Sequence, residues 1–208
     1  MRKGKKTNNT LHSVQNCSWA FGRLQQTGVP QGVHCARMGH DTLLWALEKE
    51  VVESINGPLK ENTTFLKGVK IPPGLVATND LPQVVAHGEI VLMVVPTPFV
   101  ATTLAPVAKL FRKDQILVSC TKGILNQTLQ TVDEILQDVL PSGKVAFLSG
   151  PSFAAEVVRE TPTAVTIAAM ACSWRRRFFP DIVVSLAVGI PLDRNLPYRI
   201  AKTGAKPT

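Results

Sequence analysis

The 208-residue sequence has no apolar run approaching the ~20 residues that a membrane span requires. Its first forty residues lack the apolar core of a secretory signal. They are basic and contain no Asp or Glu, a composition compatible with an organellar transit segment. The expected compartment is therefore the cytoplasm, with a plastid as the alternative. Cysteine is sparse and scattered: Cys17, Cys35, Cys120 and Cys172 form no C-x-x-C pair and show no metal-type spacing with the four histidines. They read as reduced thiols rather than a disulfide framework, and no metal site is expected. Cys120 closes the apolar run Ile116–Cys120, where it should pack as a small hydrophobe.

Acidic residues are scarce only at the two ends. The net charge of +8 divides into +6 over residues 1–40, −3 over residues 41–170 and +5 over residues 171–208. The basicity belongs to the flanks, so the central stretch offers no electrostatic case for binding nucleic acid. Arg175–Arg177 reads as a solvated feature. The chain is long enough for one domain with a real core, or one domain and a fragment.

The interior alternates strand and helix signals. Residues 1–31 carry no clean element, and a short helix is predicted over Val33–Met38, stopped by Gly39. Thr42–Leu47 reads as an apolar strand, followed by a polar helix from Glu48 to about Ile55. Residues 57–75, rich in Pro and Gly, read as a long connection. Asp80-Leu81-Pro82 opens a helix ending near Gly88. Ile90–Val95 is apolar throughout, as expected of a strand covered on both faces. Pro96-Thr97-Pro98 closes it, and Phe99–Phe111 has helix-spaced Leu104, Val107, Ala108 and Phe111. Gln115–Cys120 is the next strand, and Thr121–Ile124 its loop. Thr128–Leu140 is predicted as an amphipathic helix with Leu129, Val132, Leu136 and Val139 on one face.

Val145–Leu148 is the third strand of this series, and Ser149-Gly150-Pro151-Ser152 breaks it. Phe153–Val158 reads as a helix capped by Ser152, and Thr163–Ile167 as a β-branched strand. A strand that runs through a Ser/Gly turn into a helix start suits a phosphate; an ordinary strand-to-helix turn is the other reading. The alternation argues an α/β fold, a Rossmann-like doubly wound, mostly parallel sheet with right-handed crossovers. Ligands of such sheets sit outside the carboxyl ends of the strands. The loops Pro96–Phe99, Thr121–Ile124 and Ser149–Ser152 should therefore face one crevice.

Four segments in order, residues 61–81 (ENTTFLKGVKIPPGLVATNDL), 94–99 (VVPTPF), 121–124 (TKGI) and 148–157 (LSGPSFAAEV), resemble the NAD-dependent glycerol-3-phosphate dehydrogenase family of the bacterial and plastid kind. The resemblance runs from about Gly32 to Ala169. It implies interconversion of dihydroxyacetone phosphate and sn-glycerol 3-phosphate with NAD or NADP, by an enzyme whose family is often homodimeric and has neither membrane nor nucleic-acid partner. It also implies a catalytic, substrate-contacting Lys122 near the nicotinamide, substrate contacts at Gly150 and Ser152, and cofactor contacts at Ser18, Trp19, Pro96, Phe99 and Ala154. The chemistry of Lys122 agrees, because hydride transfer to a ketone builds negative charge on oxygen that a fixed cation stabilises; a solvated surface lysine is the bland reading. Phe99 could stack on the nicotinamide or adenine, or serve as a core aromatic at a helix start.

Two departures accompany the resemblance. The family's first strand ends in a G-x-G-S-[WYF]-G turn. Val14–Gly22 matches it at Ser18-Trp19, but Gln15 and Cys17 stand where glycines belong, and extra residues follow around Arg23–Gln31. Glu48 could accept ribose hydroxyls, although the family more often places an Arg or His one position earlier, where this chain has Leu47. Beyond Ala169 no family motif follows, and the family's helical catalytic domain is missing. The expected organisation is thus a divergent segment over 1–31, a dinucleotide-binding domain over 32–170 and an unrelated basic tail over 171–208. The alternative to the enzyme is a truncated, non-catalytic remnant that binds nucleotide weakly or not at all. Both flanks are expected to come from an incomplete or mis-spliced gene model. Sequencing the transcript across codons 165–175 tests this, and an uninterrupted message ending at Thr208 counts against it.

Overall fold

The structure, a computed structural model, describes residues 16–21, 28–62, 66–150, 157, 159 and 165–169. The elements in chain order are β1 (Asn16–Phe21), α1 (Gly28–Arg37), β2 (Asp41–Trp45), α2 (Lys49–Asn56), β3 (Glu61–Asn62), β4 (Leu66–Lys70), β5 (Leu75–Thr78), α3 (Leu81–His87), β6 (Ile90–Val94), α4 (Val100–Leu104), β7 (Ile116–Ser119), α5 (Val132–Val139), β8 (Lys144–Ser149) and β9 (Thr166–Ala169). Seven strands form one sheet in the order β5-β2-β1-β6-β7-β8-β9. Every neighbouring pair from β5 to β8 is parallel, and β9 runs antiparallel to β8. The chain winds outward from β1 through β2 to β5, then crosses back to β6 and winds the other way. The reversal falls between β1 and β6, the switch point at which open α/β sheets bind ligands.

The apolar strands are sandwiched, which is why their runs are unbroken. On one face Leu43, Trp45, Val91, Met93 and Leu117 pack with Leu81, Val84 and Val85 of α3, Val100 and Leu104 of α4, and Ile135 and Leu136 of α5. On the other, Leu44, Ala46, Leu75 and Ala77 meet Val29 and Val33 of α1 and Val51 and Ile55 of α2. Successive residues of β2 thus serve opposite layers, as strand geometry requires.

Helix ends follow local chemistry. The Asp80 side chain accepts the Gln83 N–H at 3.1 Å to cap α3. At the other end of α3, the Arg112 guanidinium donates to the Ala86 and Gly88 carbonyls, and the buried Gln115 amide donates to those of Val85 and Gly88. These side chains satisfy carbonyls that the helix leaves without partners.

Several expectations are corrected. The sheet takes in Asn16–Phe21 as a central strand, paired with β2 and β6 on its two sides, within the stretch expected to carry no clean element. Non-local pairing overrode a local sequence with no strand signal. The helix after it starts at Gly28, five residues before the predicted Val33; Pro30 is tolerated because first-turn N–H groups have no helical partner anyway. The connection 57–75 contains the antiparallel β3–β4 pair and the start of edge strand β5. In β5 Leu75 and Ala77 are buried while Val76 is exposed, a period too short to stand out beside Pro and Gly. The helix predicted over Phe99–Phe111 is α-helical only to Leu104, continuing as 3-10 turns over Ala105–Leu110. Pro106 has no N–H for an i→i−4 bond, which explains the change. The predicted helix 128–140 begins at Val132, because Thr131 and Glu134 form a reciprocal capping box there. Leu129 consequently leaves the apolar face; it sits at φ +60° and is exposed. Of the helix predicted over 153–158 the structure describes Val157, helical and buried; its Ser152 cap and the start of the strand at 163 lie outside the described residues, as does the tail 171–208.

Replacing Gln115 by Leu should cost about 1–3 kcal/mol, because it strands the Val85 carbonyl and takes the acceptor from the Arg112 N–H, while the Gly88 carbonyl keeps its bond from the Arg112 guanidinium. Urea unfolding should show this loss, with no comparable change for Gln137→Leu on the exposed face of α5.

Candidate functional site

The carboxyl ends of β6, β7 and β8 lie side by side because the strands are parallel and in register. Each is followed by one of the three loops singled out in the sequence. Pro96 leads from β6 into a single 3-10 turn over Thr97–Phe99. The Thr97 side chain is buried, and its hydroxyl donates to the Lys122 carbonyl at 3.0 Å. In return the Thr121 hydroxyl donates to the Val95 carbonyl at 2.6 Å, and the Cys120 N–H to the Met93 carbonyl at 2.8 Å. The loop after β7 is therefore fastened to the end of β6 at three points.

Gly123 holds the turn in shape at φ +104°, a left-handed conformation that L side chains rarely adopt. Lys122 just before it is exposed, and its ammonium donates to the Gly150 carbonyl at 3.1 Å. That bond joins the third loop to the second. Pro96, Lys122 and Gly150 are thus gathered on one edge of the sheet. Phe99, in the turn after β6, is 39% exposed and belongs to no core cluster. Among the described residues no group of three His, Cys, Asp or Glu could hold a metal ion.

Cys120 packs as expected, against the layer formed with α1 and α2. Burial pushes its thiol up to about 12, with the nearby Lys122 charge pulling in the opposite direction. It is an apolar support beneath the lysine loop.

On the far side of β1, a second clamp fixes the end of β2. The Trp45 indole donates to the Asn79 carbonyl at 3.0 Å, while the Asn79 amide donates to the carbonyls of Ala46 (2.7 Å) and Leu47 (3.3 Å). Glu48 then opens α2 without capping it through its side chain.

Ser18 and Trp19 are placed differently from the expectation. They lie in the middle of β1, paired with Leu43 and Leu44 on one side and Val91 and Leu92 on the other. The strand runs to Phe21 and α1 starts at Gly28; residues 14, 15 and 22 of the expected turn lie outside the described residues. The connection 22–27, and also Ser152 and Ala154, lie outside the described residues. Thr97 and Asn79 escaped the sequence reading. The signal available for both was a polar residue within three positions of a strand's end, where a hydroxyl or amide can reach the neighbouring loop.

Comparison with known proteins agrees with this geometry. A family described as "NAD-dependent glycerol-3-phosphate dehydrogenase N-terminus" matches residues 28–174. The glycerol-3-phosphate dehydrogenase [NAD(P)+] of Geobacter sp. is 43% identical over 145 residues, which cover 68% of this chain and 43% of that protein. The crystal structure of glycerol-3-phosphate dehydrogenase from Coxiella burnetii superposes with a TM-score of 0.68 at 25% identity, covering 76% of this chain and 47% of the other. That of the Plasmodium falciparum enzyme gives 0.66 at 24% identity, covering 81% and 51%, a likeness of fold. The chain spans less than half the length of the curated relatives named here. The family match starts at the first residue of α1, downstream of Ser18-Trp19.

With its thiol at about 12, Cys120 is ionised to only about one part in ten thousand at pH 8. Peptide mapping after iodoacetamide treatment of the folded chain should find Cys120 unlabelled at pH 8, with labelling rising toward pH 11. Labelling at the rate of a free peptide thiol would show that burial does not control it.

Proposed function

The chain belongs to the NAD-dependent glycerol-3-phosphate dehydrogenase N-terminal family, and from that premise we propose that it binds NAD(H) or NADP(H) at the switch point and brings Lys122 to the carbonyl oxygen of dihydroxyacetone phosphate. The reaction is the interconversion of that ketone with sn-glycerol 3-phosphate. The observation that carries the proposal is the Lys122 ammonium, held 3.1 Å from the Gly150 carbonyl at the edge where three strand-end loops converge.

The residues present fit a dinucleotide. The strand order reverses between β1 and β6, and the carboxyl ends of strands at such a switch point are where open α/β sheets bind dinucleotides. Phe99 offers an exposed aromatic surface on the β6 side. When bound, the nicotinamide supplies or accepts the hydride. Lys122 holds a positive charge and three N–H donors at a position already suited to a carbonyl oxygen. A ketone oxygen that takes the place of the Gly150 carbonyl would gain an ionic hydrogen bond exactly as negative charge grows on it. Thr97 acts through Lys122: by fixing its carbonyl, it sets where the side chain begins.

NADH fluorescence titration of the 208-residue chain should give saturable binding. Dihydroxyacetone phosphate should drive slow NADH oxidation, falling about a hundredfold in Lys122→Ala. Absence of NADH binding would favour the non-catalytic remnant instead. Turnover unaffected by Lys122→Ala would remove the lysine from its role.

A further inference from the structure

We infer that Asn56–Gly57 is a modification site, at which loss of ammonia from the Asn56 side chain leaves an aspartate that unlatches edge strand β5. It is the single Asn-Gly pair in the 208-residue sequence. A glycine after asparagine puts no side chain beside its own nitrogen, so this pair cyclises more readily than others. The Gly57 nitrogen gives up its proton to base and attacks Cγ of Asn56. A C–N bond closes a succinimide ring, the Cγ–Nδ2 bond breaks, and ammonia leaves. Water then opens the ring at either carbonyl, giving aspartate or its iso form, in which the backbone runs through the side-chain carboxyl. Nothing is oxidised or reduced.

The fold demands both residues. Asn56 is the last residue of α2, and its side chain reaches the neighbouring edge strand. Its amide donates to the Ala77 carbonyl at 2.7 Å, and its side-chain oxygen accepts the Ala77 N–H at 2.9 Å. Gly57 has no room for a side chain, because a Cβ there would stand 2.8 Å from the Glu53 carbonyl oxygen. The same packing holds the reaction back. The Gly57 N–H that must be deprotonated donates to the Glu53 carbonyl at 2.8 Å, and the Lys60 ammonium donates to the Asn56 backbone carbonyl at 3.2 Å. Attack on Cγ also requires the side chain to leave Ala77, so the chemistry waits for local opening of the edge. Afterwards the latch cannot reform as it was. A carboxylate still accepts the Ala77 N–H, but it has no N–H for the Ala77 carbonyl, and two oxygens face each other where a hydrogen bond stood. Strand β5 is then left with an unpaired carbonyl at the sheet edge, beside Val76, which is 51% exposed.

Mass-spectrometric peptide mapping tests this on the 208-residue chain, kept folded or held in guanidinium chloride at the same mildly alkaline pH. Asn56 should deamidate at least about tenfold more slowly in the folded chain. Equal rates in the two states overturn the inference, because the hydrogen bonds around Asn56 and Gly57 would then control nothing. Asn56→Asp makes the product directly and should lower the urea midpoint, whereas Asn126→Asp, in an exposed loop, should leave it unchanged. An Asn56→Asp chain with the midpoint of the unsubstituted one overturns the inference as well, since the amide would not be what holds β5. Should Asn56→Asp fail to fold, the rate comparison decides, because it uses the unsubstituted chain alone.

Discussion

The hydrogen bond from the Thr97 hydroxyl to the Lys122 carbonyl is the interaction on which the site depends. Parallel strands bring their carboxyl ends to one edge, but loops that leave such an edge are free to splay. Thr97 and Thr121 prevent this by each reaching across to the neighbouring loop, so that β6 and β7 end in a mutual clasp. Lys122 is the residue between them and the third loop. Its backbone is held from one side and its ammonium reaches the other, to Gly150. A flexible, strongly hydrated side chain is thereby anchored at both ends, and less freedom is lost when it meets an acceptor oxygen.

The same device recurs at the end of β2, with an asparagine amide in place of a hydroxyl. A third version lies at the opposite end of the sheet, where Gln115 and Arg112 satisfy the last carbonyls of α3. In each case a polar side chain at an element's margin completes backbone groups that no ladder can reach. The sheet supplies the layout, while these side chains convert loose connections into positioned ones. Asn56 does so for the edge strand, its amide pairing with both the N–H and the C=O of Ala77 as another strand would.

Much of the centre was legible because its signals were strong and local. Ile90–Val94 and Ile116–Ser119 are apolar on both faces, and Asp80 and Gly88 bracket α3 as cap residues do. The placing of Pro96, Lys122 and Gly150 at one edge followed from that alternation. Weak or non-local signals failed. Asn16–Phe21 carries no period, yet it takes the middle of the sheet because β2 and β6 leave a two-sided gap there. Reading Ser18-Trp19 as the residue pair of a glycine turn therefore shifted the turn into a strand. Leu129 matched a helical face by spacing alone, but a capping box two residues later set the true start.

From the order of residues alone came the doubly wound α/β class, the family, and the loops that bear the site, because each rests on short local patterns and their order along the chain. Tertiary structure decided which strand stands at the centre and what holds Lys122 in place. Those outcomes depend on hydrogen bonds between residues some 25 or more positions apart, such as Thr97 with Lys122 and Lys122 with Gly150. No local pattern encodes such partners; they meet only when the parallel sheet has brought its strand ends together.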